Sequence, residues 1–178
     1  KGTLSILDMD EVDRVVKGLK QQADIVVVSF HGGGEGAKFS HVPYGMEKCF
    51  GEERGDLRKF THRAIDAGAD VIYGHGPHVT RGIELYNDRI IIYSLGNFAT
   101  PYRVNLKGIN GYAPVVTVTV GSDGRFIDGQ IHSFIQRRGI GPRKDTTNTV
   151  AAHMARLSRA DFPESPLTIS NDGKISRK

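Results

Sequence analysis

The chain has 178 residues with a formal net charge of +4 at pH 7, and 38% of its residues are hydrophobic and 25% charged. This length and composition are typical of one globular domain with a sizeable core, and they exclude a chain that is disordered throughout. Its basic residues are spread along the chain rather than gathered in a stripe with aromatic residues, which argues against a nucleic-acid-binding protein.

The first two predicted elements are a helix and a strand. Apolar residues recur at three- and four-residue spacing over residues 9–21, which predicts a helix capped by Asp8 or Asp10. Residues 25–30 form an apolar run with three successive valines, interrupted only by Ser29, which is typical of a strand covered on both faces in a parallel sheet. This strand ends at His31.

A glycine-rich loop follows that strand. Gly32, Gly33 and Gly34 separate His31 from Glu35 and either let the backbone approach a ligand closely or act as a flexible connector. The Gly-Lys-Ser/Thr ending of a phosphate-binding P-loop is absent. Residues 37–55 are predicted to form a longer irregular excursion over the surface, of the kind that often lines a binding site.

The next segment predicts a strand–helix–strand unit. Residues 56–67 have the pattern of a helix, with Gly68 as its left-handed stop. Residues 71–73 read as a short buried strand that breaks at Gly74. The order of elements over residues 25–73 therefore predicts a right-handed βαβ unit with parallel strands.

The remaining elements are mostly strands. Ile83 to Tyr86 and Arg89 to Tyr93 flank Asn87-Asp88, a predicted two-residue hairpin turn. A polar loop is predicted over residues 99–113, two strands over residues 115–120 and 125–137, and a short helix over residues 149–158. The tail after this helix is expected to pack loosely or to cross onto a partner. No run of about 18 apolar residues occurs, so no membrane span is predicted.

Three histidines carry the main chemical signal. His31, His75 and His78 all fall just beyond the predicted parallel strands, where ligands bind in α/β sheets. Neutral imidazole is a common ligand for zinc, iron and similar ions, so these three residues are predicted metal ligands. Pro77 stiffens the turn between two of them. The alternative is that they only hydrogen-bond backbone groups at the strand ends.

Three other residues are predicted to contact a substrate: Glu35, Arg81 and Asn97. Glu35 and Asn97 are also the nearest candidates for oxygen ligands beside the histidines. Arg81 could clamp an anionic group, or it could form an ordinary surface ion pair. No catalytic residue is assigned. The modest basic cluster of Arg137, Arg138, Arg143 and Lys144 is interpreted as a solvated face.

The sequence contains two long motifs, Gly74-His75-Gly-Pro-His78-Val79 with Gly82-Ile83-Glu84, and Tyr93-Ser-Leu-Gly-Asn97-Phe98. They resemble motifs of the CapA family of poly-γ-glutamate capsule biosynthesis proteins. His31-Gly-Gly-Gly-Glu35 resembles the family's His-Trp-Gly-x-Glu motif, with a glycine in place of the tryptophan. The family's earlier Asp-containing, Asn-Leu-Glu and Asn-Asn-His motifs do not occur in this sequence.

The resemblance implies an α/β (α+β) fold of the calcineurin-like metallophosphoesterase type, a sandwich of mixed sheets flanked by helices. Residues 1–138 would be the C-terminal part of that domain and residues 139–178 a C-terminal extension. The missing N-terminal half would be supplied by another chain or be absent. His31, His75 and His78 match the family's later histidine motifs and would bind one or two divalent ions of Mn, Fe or Zn.

The resemblance also implies a role in capsule polymer production at the bacterial cell surface or another extracytoplasmic place. One hypothesis is a metal-dependent phosphoesterase-type hydrolase acting on an anionic polymer or phosphoester. A second is a non-catalytic module that binds poly-γ-glutamate or the capsule synthase complex through basic loops. A third is a general metallophosphatase.

Overall fold

The computed structural model describes residues 3–100, 102 and 104–178; of the predicted loop over residues 99–113, Pro101 and Arg103 lie outside that description, as do Lys1 and Gly2. The helices are α1 (Met9–Lys20), α2 (Leu57–Asp66) and α3 (Thr149–Asp161). The strands of the first half are β1 (Val27–His31), β2 (Glu47–Cys49), β3 (Glu52–Gly55), β4 (Val71–His75), β5 (Ile83–Tyr86) and β6 (Arg89–Ile92). Those of the second half are β7 (Val115–Val120), β8 (Phe126–His132), β9 (Phe134–Arg137), β10 (Gly141–Lys144), β11 (Leu167–Ile169) and β12 (Lys174–Arg177).

The first sheet has the strand order β1-β4-β6-β5. β1 and β6 both pair in parallel with β4, which confirms the predicted parallel strands, and β5 returns antiparallel to β6. The β5–β6 hairpin turns at Asn87 and Asp88, whose φ angles of 46° and 63° are those of a type I′ turn. The hairpin prediction is therefore confirmed.

Both predicted N-terminal helices form where the sequence places them. The carboxylate of Asp8 accepts a hydrogen bond from the Glu11 backbone N–H, and Asp56 caps α2 in the same way through Lys59. Asp70 then ties the sheet to α1: its buried carboxylate accepts from the Val26 backbone N–H at 2.8 Å and pairs with Lys20 and Arg89.

Two hydrophobic cores flank the first sheet, because successive side chains along a strand point to opposite faces. On one face α1 and α2 cover residues such as Ile72 and Ile91. On the other face α3 and a second sheet, of order β11-β12-β8-β7, cover residues such as Ile90 and Ile92. The mixed α/β sandwich implied by the sequence is present, although the second sheet is antiparallel throughout rather than mixed.

The prediction that the first strand is covered on both faces is wrong. β1 lies at the edge of the first sheet, and its Val27 side chain is 55% exposed. The predicted break at Gly74 is also wrong, since β4 continues through it to His75. A Cβ at Gly74 would lie 2.2 Å from Phe30 Cζ and 2.6 Å from the Tyr93 carbonyl oxygen, so glycine is needed for close packing rather than to end the strand.

Regular structure also extends into segments predicted to be irregular. The excursion over residues 37–55 contains the β2–β3 hairpin, and β9 pairs with β10. The tail does not pack loosely: β12 pairs with β8, and Ile175 is fully buried. No helix among residues 3–100, 102 and 104–178 is long and apolar enough to span a membrane.

Candidate functional site

The carboxyl ends of β1 and β4 bring the two histidine-bearing segments together. His31 and His75 are register partners in the parallel pair, so their side chains leave the same face of the sheet. The glycine-rich loop and the Gly-Pro turn are joined by two backbone hydrogen bonds, from Gly32 N–H to the His75 carbonyl at 2.9 Å and from Gly36 N–H to the Pro77 carbonyl at 2.8 Å. The predicted convergence of these segments is confirmed.

Gly76 makes this close approach possible. Its φ is +133°, a conformation that residues with a side chain rarely adopt. A Cβ there would lie 2.3 Å from the Gly32 carbonyl oxygen. The motif glycine is therefore required both by its backbone angle and by the neighbouring loop.

Asn97 holds His78 through two hydrogen bonds. Its Nδ2 donates to the His78 carbonyl at 3.2 Å, and its Oδ1 lies 2.8 Å from His78 Nδ1. Because a carbonyl oxygen only accepts, Nδ1 carries the proton of the neutral ring and Nε2 keeps its lone pair. The His78 backbone has φ +57°, which is uncommon for a non-glycine residue and is held here by Asn97 and the turn.

The available His78 Nε2 faces Glu35. Its distance to Glu35 Oε2 is 4.0 Å, and the other Glu35 oxygen is 3.1 Å from Arg54. The His31 ring lies on the same side, with its centroid 6.4 Å from that of His78. The His75 ring lies edge-on to Tyr73, at 6.1 Å between centroids. The structure therefore brings His31, His78 and Glu35 together in a partly exposed cluster.

Arg81 lies beneath the glycine-rich loop. Its side chain is fully buried and makes two hydrogen bonds of 2.7 Å to Glu47 and one to the Phe39 carbonyl. Glu47 in turn accepts from the Gly34 N–H at 3.0 Å. The Arg81–Glu47 pair braces the loop that carries Glu35, and contact of Arg81 with a substrate stays a prediction.

The cluster has the ligand types of a metal site but not a complete set of ligands. Imidazole nitrogens and a carboxylate suit zinc, iron and manganese, and catalytic zinc sites commonly have three protein ligands. Among the described residues, no group of three or more His, Cys, Asp or Glu side chains is spaced to hold an ion. His31, His78 and Glu35 thus lie near one another, with 4.0 Å between His78 Nε2 and Glu35 Oε2, but they are not spaced as three ligands of one ion.

A buried polar network next to the sheet was not predicted from the sequence. Glu84 accepts from Tyr93 Oη at 2.8 Å and lies 2.9 Å from His62 Nε2, while Thr61 contacts the same tyrosine. Burial, with the neighbouring Glu84 carboxylate, raises the pKa of Tyr93 well above its usual value, so the phenol stays a donor. These partners lie on α2, on β5 and directly after β6, and they leave no periodic sequence signal because the fold alone brings them together.

Comparisons with known proteins cover the segment that carries this cluster. The family model described as "Bacterial capsule synthesis protein PGA_cap" matches residues 2–102. The PGA biosynthesis protein CapA of Bacillus subtilis (strain 168) is 41% identical over 85 residues, which are 47% of this chain and 19% of that protein. The capsule biosynthesis protein CapA of Bacillus anthracis is 33% identical over 90 residues, 51% of this chain and 19% of that protein.

A third relative is the probable polyglutamine synthesis accessory protein of Mycobacterium tuberculosis (strain CDC 1551 / Oshkosh). It is 33% identical over 103 residues, which are 58% of this chain and 23% of that protein. The chain thus matches less than a quarter of the length of each of these three relatives.

Proposed function

This chain belongs to the bacterial capsule synthesis protein family PGA_cap, and from that premise we propose that it contributes to the production of capsule poly-γ-glutamate. Two of its relatives are named for capsule or PGA biosynthesis and a third for polyglutamine synthesis. The word "accessory" in the third name supports a role beside a synthase complex rather than as the synthase itself. The proposed place of action is the extracytoplasmic side of a bacterial cell.

The proposed role of the site is to bind a divalent metal ion that grips or hydrolyses a phosphate- or carboxylate-bearing substrate. His31 and His78 are the proposed ligands, with Glu35 beside them, and His75, the register partner of His31, is proposed as a third. When bound, manganese, iron or zinc supplies Lewis-acid polarisation of a phosphoryl or carbonyl oxygen. The observation that supports this most is the pair of hydrogen bonds between Asn97 and His78, which leaves the His78 Nε2 lone pair facing Glu35.

Asn97 acts in this proposal as a positioning residue. Histidine ligands commonly donate their other ring N–H to an oxygen, which fixes the ring and the tautomer, and loss of that oxygen costs about 10–100-fold in metal affinity. The Oδ1 of Asn97 occupies this position relative to His78. Its substitution should therefore weaken metal binding without removing a ligand.

The experiment is titration of the purified chain with Mn²⁺ and Zn²⁺ by isothermal calorimetry. We expect His78→Ala to abolish binding and Asn97→Ala to weaken it about 10–100-fold. His132→Ala is the matched control, because His132 is an exposed histidine on β8 whose ring contacts Thr117. Binding that is unchanged in His78→Ala, or lost equally in His132→Ala, would contradict the metal site.

A second candidate function rests on the β9–β10 hairpin. Arg137, Arg138, Arg143 and Lys144 are all exposed there, and residues 129–144 contain no Asp or Glu. Such a hairpin suits binding of a polymer that carries a carboxylate on every residue. Poly-γ-glutamate binding that survives His78→Ala, falls with added salt and is lost in Arg137→Glu/Arg138→Glu would favour this module over the metal site.

A further inference from the structure

The outer edge of β1 presents unpaired backbone groups. Val26 accepts from Asp70 N–H and Gly32 donates to the His75 carbonyl, so the even-numbered residues of this strand point their backbone groups towards β4. Backbone direction alternates along a strand. The N–H and C=O groups of Val27, Ser29 and His31 therefore point away from the sheet, and β1 has no second strand partner among the described residues.

The opposite edge of the same sheet is closed. The outward N–H groups of β5 donate to side-chain hydroxyls, from Ile83 to Ser158 at 2.8 Å and from Leu85 to Ser165 at 3.0 Å. Free edges invite pairing with another strand, and proteins usually cap or blunt them. The contrast marks the β1 edge as a place for a further strand.

An apolar groove runs along this free edge. Its volume is about 600 Å³, and it lies between α1 and β1. Three of its aliphatic side chains are about half exposed: Leu4 at 46%, Leu7 at 44% and Leu19 at 47%. A contiguous apolar surface of this kind is typical of a docking surface.

We propose that a β-strand pairs in parallel with the outer edge of β1. This strand comes from the part of the longer family polypeptide that does not align with this chain. Less than a quarter of each compared relative is matched, so most of its chain lies elsewhere. The occupant has the chemistry that the groove requires, an extended segment with apolar side chains on the face towards α1.

The handedness of chain crossovers supports this position. α1 and α2 pack on the same face of the sheet, and α2 connects β1 to the parallel strand β4. Crossovers between parallel strands are right-handed in about 98% of cases. A strand connected to β1 through α1 with the same hand lies on the side of β1 opposite to β4.

The path of residues 3–8 agrees with this placement. Ile6 packs where the sheet ends, since a Cβ at Gly32 would lie 2.5 Å from its Cδ1. The chain thus enters α1 at the carboxyl edge of β1, which is where a strand parallel to β1 would also end. That strand would finish beside His31, on the open side of the candidate site.

The first test compares two proline substitutions on β1. Ser29→Pro removes an outward N–H and should shift the unfolding midpoint of this chain by less than about 3 °C, whereas Val28→Pro removes an N–H directed at β4 and should lower it by about 10 °C. In the longer Bacillus subtilis relative, we expect proline at either of the two aligned positions to lower the unfolding midpoint by about 10 °C. Tolerance of proline at the position aligned with Ser29 in that relative would overturn the proposal.

The second test uses unsubstituted proteins and needs neither metal nor polymer, so its outcome is separate from that of the proposed function. Amide hydrogen exchange at Val27, Ser29 and His31 should be fast in this chain and at least about 100-fold slower at the aligned amides of the relative. Fast exchange in both proteins would overturn the proposal. So would slow exchange in this chain accompanied by a sedimenting dimer, because that result assigns the edge to a second copy.

Discussion

The two edges of the first sheet differ in whether their outward backbone N–H groups have hydrogen-bond partners. At the β5 edge, hydroxyl groups of Ser158 and Ser165 accept the outward N–H groups, and α3 covers the strand. At the β1 edge, the outward groups of Val27, Ser29 and His31 are unpaired among the described residues, and the second sheet does not extend far enough to bury Val27. Whether a sheet edge is covered thus depends on segments that are distant in the chain. The candidate site lies at the uncovered β1 edge.

The largest expected effect concerns His153, on the helix that covers the β5 edge. Burial, with the charges of Arg156 and His41, lowers the pKa of His153 to about 4. Its ordinary value is 6.5, so the unfolded chain binds a proton between about pH 6.5 and 4 that the folded chain does not. Stability should therefore fall as the pH falls through this window, by up to about 3 kcal/mol, and should level off above pH 6.5.

Chemical denaturation between pH 4 and 7 measures this dependence. His153→Leu should flatten the slope between pH 6.5 and 4 that His153 contributes, while His132→Leu, at an exposed histidine of β8, should leave it unchanged. An equal slope in the wild-type chain and in His153→Leu would show that other groups cause the pH dependence.

A smaller effect is expected from the hydroxyl cap itself. Ser158→Ala leaves the Ile83 N–H buried without its acceptor, which should cost about 1–3 kcal/mol of unfolding free energy. Ser29→Ala is the matched change at the open edge and should cost less than about 0.5 kcal/mol, because Ser29 is exposed. Urea unfolding of both variants measures the difference, and equal costs would contradict the contrast between the edges.

The smallest effect compares two register partners on neighbouring strands. Val27 and Val71 face each other across the β1–β4 pair, but Val27 is 55% exposed and Val71 only 8%. Val71→Thr buries a hydroxyl and should cost about 1–2 kcal/mol, while Val27→Thr should stay within about 0.5 kcal/mol. If the two substitutions cost the same in thermal unfolding, the β1 edge is covered in solution.

The local elements were predictable because their signals are short-range. Apolar spacing predicted α1 and α2, with Asp8 or Asp10 as the cap of α1, and Asn87-Asp88 predicted the hairpin turn. The convergence of His31 with the Gly-Pro turn also followed from the sequence, because parallel strands end at one edge of a sheet. Short-range signals therefore predicted the local elements, and the rule for parallel strands predicted the one long-range contact between His31 and the turn.

Contacts between side chains that are distant in the sequence were not predictable in this way. Arg81 was expected to be free for a substrate or paired at the surface, yet it is buried against Glu47, which is supplied by a hairpin that the sequence did not indicate. Asn97 was expected to contact substrate, and the structure adds that it sets the tautomer of His78. The tail, expected to be loose, supplies β12, because the burial of Ile175 depends on β8.

By itself, the sequence determined the helices α1 and α2, the strands of the first sheet, the Gly-Pro turn between His75 and His78, and the family to which the chain belongs. Only the tertiary structure decided that β1 is an edge strand, that α3 closes the opposite edge, and that Glu35 rather than Arg81 faces His78. The physical reason is that helix and turn signals depend on residues within a few positions of each other. Whether a strand is covered depends instead on how far distant segments extend across the sheet.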